Sequence, residues 1–329
     1  PAPCPSCHVG AERRMSPAGG SVVDTTEHGA LQHEFRVMGS RSYVIVHGGT
    51  REMLDRAEAR LRELESWWSR FREDSDITMA NRAAGRPVVV HGDTLAVVAR
   101  ALDAWRQTAG RFDITTLPAL LSAGYTHSAV NQSLAPSVPG SRIGMSAMVH
   151  VDYDASTLTV PATTAIDLGG IGKGFAADIV AEELIEAGAT GALVNIGGDL
   201  VVLGSPCDDT SWYLGIEDPR NPPSHVATLR LQSGGMATSG TTIRKWTRAD
   251  GTAAHHLIDP TRATPSASGI VTATVLAADA ATAEAFATAA MMLPGDEAVA
   301  MLDSVHLAGL AVDRDGQVFE TSTMRDFRS

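Results

Sequence analysis

Between Ile166 and Gly188 the chain reads IDLGGIGKGFAADIVAEELIEAG. Gly169, Gly170, Gly172 and Gly174 crowd around Lys173, Asp167 stands just before them, and a helical pattern follows. Glycine lacks a Cβ, so such a run marks a backbone that turns sharply or comes very close to another group. The first N–H groups of the helix behind it are free to bind an anion, and a phosphate is the usual one. Two phosphate motifs fail on spacing. A P-loop, G-x-x-x-x-G-K-[ST], would need glycine where Asp167 stands and a hydroxyl where Gly174 stands. A dinucleotide fingerprint has the glycine density but not this spacing, and here the loop lies mid-chain behind a hairpin pattern. For the loop taken alone, a tight turn that merely feeds a helix stays open.

The rest of the chain bounds the class. Its 329 residues suffice for one large domain or two small ones, and a net charge of −12 argues against a general nucleic-acid binder. Three cysteines do not make a disulfide framework. Cys4 and Cys7 sit in CPSCH, formally a haem-attachment pattern, but no axial-ligand segment lies near it. The most apolar stretch, residues 270–293, carries Asp279 and Glu284, so no membrane span is expected. Residues 1–33 lack periodicity and are read as a mobile leader, with one domain over 34–329. No secretory signal is seen, so the expected compartment is cytoplasmic, or extracytoplasmic if a signal or lipid anchor has been removed.

Order is expected from EFRVMGSRSYVIVH, read as a strand bent at Gly39. A helix from Thr50 carries the apolar stripe Leu54, Ala57, Leu61, Leu64, Trp68 and Phe71, and Trp68 is read as core. A second helix runs from an Asp93 cap to a Gly110 stop. Residues 114–150 look irregular, with an exposed loop over 127–142, and HVDYDASTLTVP follows as a hairpin. GALVNIGGDLVVLG reads as a strand broken by a glycine pair. Further strands, helices at 279–292 and 295–304, and a terminal hairpin complete the chain. Strands and helices alternate without a βαβ rhythm, so the fold class is α+β, with mixed sheets and packed helices.

Three more segments place small residues and a polar group at a strand end: NIGGDL (195–200), ATSGTTIRKW (237–246) and HHLIDP (255–260). Glu284 and Thr288, four apart in AEAFATAAMM, project from one helix face, a pair suited to a hard cation or simply to solvent. Together with FRVMGS, SRFREDSDITMAN, FDITTLP and IDLGGIGKGFAAD, and in this order, these segments resemble the ApbE family of FAD:protein FMN transferases over roughly residues 35–320. The resemblance implies a protein that binds FAD and Mg2+, with Mn2+ as a possible substitute. It would transfer FMN onto a threonine or serine of an acceptor protein that carries a flavinylation motif, and release AMP.

Roles follow from the resemblance position by position. Met38, Phe71, Asn81, Arg111, Phe112, Asp113, Asp167, Lys173 and Ile258 fall on FAD-contacting places, and Phe71 stands where tyrosine is common. Lys173 would neutralise the diphosphate, and His256 would be the base for the attacking hydroxyl. The metal ligands would be Glu284, Thr288 and the backbone carbonyl of Gly170. Two departures stand out. Glu284 replaces the usual aspartate, and DPTRATP puts Arg262 and Ala263 in place of a Thr-Gly pair, so that turn is expected to take another path. An FAD pyrophosphatase, which gives FMN and AMP, and a non-catalytic FAD binder are the alternative readings.

Overall fold

The computed structural model describes residues 8–9, 22–25, 30–127, 137–138, 140–206, 211–248 and 251–329. CPSCH therefore falls outside the described residues, save that His8 opens a strand. Within the stretch read as a leader, β1 (His8–Val9) and β2 (Val22–Thr25) are strands, and β2 pairs with β3 (Leu31–Val37). β3 returns as β4 (Ser40–His47), so the expected bent strand is a hairpin. Val37 pairs with Ser40 across a two-residue turn in which Met38 and Gly39 have φ of 49° and 70°. A turn with both φ positive matches the strand twist, and the sequence hid it because methionine seldom takes that conformation.

α1 (Arg51–Trp68) is capped by Thr50, whose Oγ1 accepts the Met53 N–H, and it buries the expected stripe up to Trp68. Phe71 lies beyond the helix end. α2 (Asp76–Arg82) is capped by Ser75, and after β5 (Val88–Val89) comes α3 (Gly92–Gln107). The N-cap of α3 is His91 rather than Asp93, which instead sits in the first turn and pairs with Arg60 at 2.5 Å. The stretch read as irregular holds a 3-10 turn, Ile114–Thr116, and α4 (Leu117–Ser122), while most of the expected loop at 127–142 lies outside the described residues. β6 (His150–Asp152) and β7 (Thr157–Thr159) form the expected hairpin.

α5 (Gly172–Glu186) leads to β8 (Gly191–Ile196) and β9 (Asp199–Gly204). The glycine pair does not break a strand but turns it: Gly197 and Gly198, at φ 66° and 99°, join β8 to β9 as a hairpin. Then come β10 (Trp212–Glu217), β11 (His225–Leu231) and β12 (Gly234–Gly240). Four short strands follow: β13 (Lys245–Thr247), β14 (Ala253–His255), β15 (Ile258–Asp259) and β16 (Thr264–Pro265). The chain closes with β17 (Ile270–Ala277), α6 (Ala280–Ala290), α7 (Gly295–Ser304), β18 (Ala308–Asp313) and β19 (Val318–Glu320).

The main sheet has nine strands in the order β19-β18-β17-β12-β9-β8-β4-β3-β2, each paired antiparallel to its neighbours. α1, α5 and α6 cover one face through Val44, Val46, Val194 and Val201. The β10–β11 hairpin covers the other through Ile45, Leu193, Val202 and Trp212. β8 is buried throughout because it lies between both layers. β1 pairs parallel with β10, so the sheets are mixed, and the class is α+β as expected.

Candidate active site

The glycine loop is set by its entrance. Asn81 donates from Nδ2 to the Ile166 carbonyl at 2.9 Å and accepts the Ile166 N–H on Oδ1 at 2.8 Å. Asn81 is buried and does not line the cleft, so the side chain expected against FAD instead holds the backbone that leads into the loop. Asp167 accepts the Gly169 N–H at 2.8 Å and pairs with Arg70 Nε at 3.0 Å, closing a local turn. At Gly170 a Cβ would press on Thr288 Oγ1 at 3.2 Å and on the Phe112 ring at 3.1 Å, so a bare backbone lets loop and α6 meet. At Gly174 a Cβ would run into the carbonyl of Ala280, and the Gly174 N–H donates to Glu284 Oε2 at 2.8 Å.

Glu284 is buried. Its Oε1 lies 2.7 Å from Lys173 Nζ but lacks a directed hydrogen bond, so that contact is an ion pair alone. Lys173 also pairs with Asp199, whose Oδ1 accepts the Thr238 N–H at 3.2 Å. Lys173, the residue expected to face a diphosphate, lines the cleft, and its ammonium joins these two buried carboxylates. Burial pulls its pKa down, and the Glu284 charge opposes that. Thr288 Oγ1 shares a hydrogen bond with Ser239 Oγ at 3.2 Å. Among the described residues no group of three or more His, Cys, Asp or Glu side chains is arranged to hold a metal. The donors gathered here are mostly hydroxyl and backbone, beside one or two carboxylates.

His256 lines the same cleft, and its Nδ1 is buried without a partner. Burial, helped by the nearby Arg244 and Lys173 charges, pushes its pKa down to about 3, so the imidazole is neutral at neutral pH. The expected new path of the DPTRATP turn is not taken. Ala263 itself adopts φ 57°, and β15 and β16 pair across the turn. Ile258 is buried in β15 and lines the cleft. Met38, Phe71, Arg111, Phe112 and Asp113 also line it. The Asp113 carboxylate caps the turn after it, accepting from Thr115 N–H at 2.6 Å and Ser146 Oγ at 2.9 Å. It therefore shapes the wall rather than offering a free charge.

Sequence reasoning gave no role to Asp199, Arg244 or Asp178. Asp199 and Arg244 lie in segments singled out for other members, NIGGDL and TTIRKW. The packing of α5 against β9 sets Asp199 beside Lys173, and the β13–β14 hairpin sets Arg244 beside His256, whose N–H donates to the Arg244 carbonyl. Asp178, on α5, accepts the N–H groups of Ala280 and Ala281 at 2.8 and 2.9 Å and so ties α6 to α5. An aromatic wall was also missed. Tyr125 stacks on Trp246 with centroids 5.3 Å apart, and the Arg70 guanidinium lies over Phe71 and Tyr125 at 4.1 and 4.9 Å.

These groups surround a cleft of about 1890 Å3. The chain is 27% identical over 275 residues to the FAD:protein FMN transferase of Vibrio cholerae, covering 82% of this chain and 81% of that one. It is 29% identical over 286 residues to the protein of that name from Treponema pallidum, with 81% and 77% covered. The ApbE protein of Thermotoga maritima has the same fold, with a TM-score of 0.80 at 24% identity over 91% of this chain and 99% of that one. The apo flavinyl transferase ApbE of Pseudomonas stutzeri matches with a TM-score of 0.74 at 26% identity over 93% and 96%. The ApbE family matches residues 38–312, and the chain belongs to that family.

Proposed function

We propose that this chain transfers the FMN half of FAD to a threonine or serine hydroxyl of an acceptor protein, releasing AMP, with Mg2+ as cofactor and Mn2+ as its substitute. The supporting observation is the cleft. Small-molecule sites usually enclose roughly 300–1000 Å3, whereas this one offers about 1890 Å3 with glycine loop, cation, carboxylate and imidazole in one wall. That volume exceeds what one small ligand needs, which supports a reading in which a dinucleotide and a segment of an acceptor chain share the cleft. The relatives' shared name supports the same reading.

The attacking hydroxyl forms a bond to the FMN phosphorus, the phosphoanhydride bond to AMP breaks, and the hydroxyl proton passes to His256. Neutral His256, with its partnerless Nδ1, can take that proton. Burial and then the charges of Arg244 and Lys173 make it a weak base, and a diphosphate placed beside those cations offsets the charge part and raises its basicity. The loop N–H groups and Arg111 orient the phosphates, and the aromatic wall takes a flat ring. The metal residues suit a hard cation, since every donor is oxygen and Glu284 Oε1 is buried without a hydrogen bond. Glu284, Thr288 and the Gly170 carbonyl would hold Mg2+, which supplies charge neutralisation at the phosphate oxygens.

The test mixes the protein with FAD and Mg2+, with and without a Ser/Thr acceptor, and follows AMP and covalent flavin fluorescence on a gel. Acceptor labelling with AMP release, lost in Glu284→Ala, is the expected result. AMP without labelling would replace transfer with pyrophosphatase action, and tight FAD binding with no AMP would leave only a flavin binder.

A further inference from the structure

The chain carries only two lysines, Lys173 and Lys245, among 26 Lys and Arg residues, and both line the cleft. Arginine does the surface pairing elsewhere, through Arg56, Arg60, Arg62 and Arg106, for example. At position 173 the cation is a compact ammonium on a flexible four-carbon stem, which can exchange partners as a fixed guanidinium fork cannot. Its present partners are two carboxylates, Asp199 at the start of β9 and Glu284 in the middle of α6, each only 2–3% exposed at its side chain. Two buried carboxylates side by side need a counter-cation. Glu284 is also the carboxylate on which the proposed metal site depends.

We propose that Lys173 is an exchangeable internal cation. Without a divalent ion it neutralises Glu284 and Asp199. When Glu284 turns to a divalent ion, the ammonium leaves it, keeps Asp199, and swings into the cleft, where a diphosphate is its new partner. This rests on the flavin-transfer reading of the site and adds to it that metal and diphosphate help each other bind through one side chain. The Glu284 side chain makes this exchange direct. Oε2 remains on the Gly174 N–H, which fixes the carboxylate, while Oε1 holds nothing but the lysine.

With two lysines in the chain, the exchange can be watched in the unmutated protein. Lysine labelled with 13C at Cε gives two NMR signals, and Lys245→Arg identifies the one from Lys173. The expected result is that Mg2+ alone moves the Lys173 signal along the same titration that calorimetry records, while the Lys245 signal stays. Mg2+ binding that leaves Lys173 unmoved would overturn the exchange and leave metal-dependent transfer standing. No Mg2+ binding with FAD present would overturn both.

A second measurement gives the size. Lys173→Met should tighten Mg2+ in the absence of FAD by about 5- to 150-fold, the usual range of coupling between two sites. Arg244→Gln serves as control, a nearby cation that approaches His256 but makes no carboxylate pair among the described residues. An equal gain in both variants would mean a general field effect and would sink the exchange. Should Lys173→Met fail to fold, the signal of the unmutated chain decides the matter.

Discussion

Ala263 holds φ at 57° without being a glycine, a conformation that costs an ordinary residue roughly 1–2 kcal/mol. The turn is kept because Asp259 organises it: its Oδ1 accepts the Thr261 N–H at 2.8 Å, and its carbonyl accepts the Ala263 N–H at 2.9 Å. Ala263→Gly should therefore stabilise the protein by about 1 kcal/mol, less the entropy a glycine adds to the unfolded chain, as a higher urea midpoint will show. His256 is the second residue with a measurable consequence. Its folded pKa of about 3 lies below the ordinary value, so the unfolded chain takes up a proton first as pH falls. Stability should drop by about 1.4 kcal/mol per pH unit from pH 6.5 downward, relative to His256→Gln. Parallel denaturation curves for the two proteins at pH 4 and 6 would refute this.

At the scale of elements, the site depends on how closely α5 and α6 approach. Gly174 meets the Ala280 carbonyl with no room for a side chain, and Gly235 in β12 leaves none at the Ala280 nitrogen. Gly174→Ala should cost about 1–3 kcal/mol through overpacking and, by pushing the helices apart, break the Gly174–Glu284 hydrogen bond. Thermal melting gives the first effect, and loss of Mg2+ affinity gives the second. Asp178 fastens the same contact from the α5 side. Asp178→Ala removes the acceptor of two N–H groups at the start of α6 and should cost about 1–2 kcal/mol, as lost helix caps do. Burial raises the Asp178 pKa to about 7, against the pull of those two N–H groups. A raised carboxyl favours the fold at low pH. Asp178→Asn should then gain on the wild type by about 1.4 kcal/mol per unit between pH 4 and 7, the opposite sign to His256. A constant difference across that range would show that Asp178 folds ionised.

Taken whole, the molecule is acidic, at −12, yet Arg36, Arg111, Arg244 and Lys245 line its cleft and make no carboxylate pair among the described residues. On the flavin-transfer reading, a local cationic mouth on an acidic body would draw an anionic dinucleotide to one place. FAD affinity should fall as salt rises past 0.1 M, where the screening length is about 10 Å, and Arg244→Gln should weaken binding at low salt and flatten that slope. Flavin fluorescence quenching measures both. Indifference to salt would mean that the ring pocket, not charge, carries the affinity. Among the described residues no helix is long and apolar enough to cross a membrane.

What the sequence determined by itself was local. The stripe of α1 and the pairing of Glu284 with Thr288 on one face follow from spacing, since helix periodicity acts within a few residues. The glycine loop and the flavin-transferase order of segments were legible for the same reason, because each motif is short and contiguous. Only the tertiary structure decided that Met38 and the Gly197-Gly198 pair turn hairpins, because positive φ at a methionine is imposed by strand pairing rather than by preference. Only the tertiary structure took Asn81 out of the cleft to hold Ile166, and brought Asp199 from another strand to share Lys173 with Glu284. Those partners are far apart in sequence, and no local pattern encodes a contact that exists only when sheet and helices close on one another.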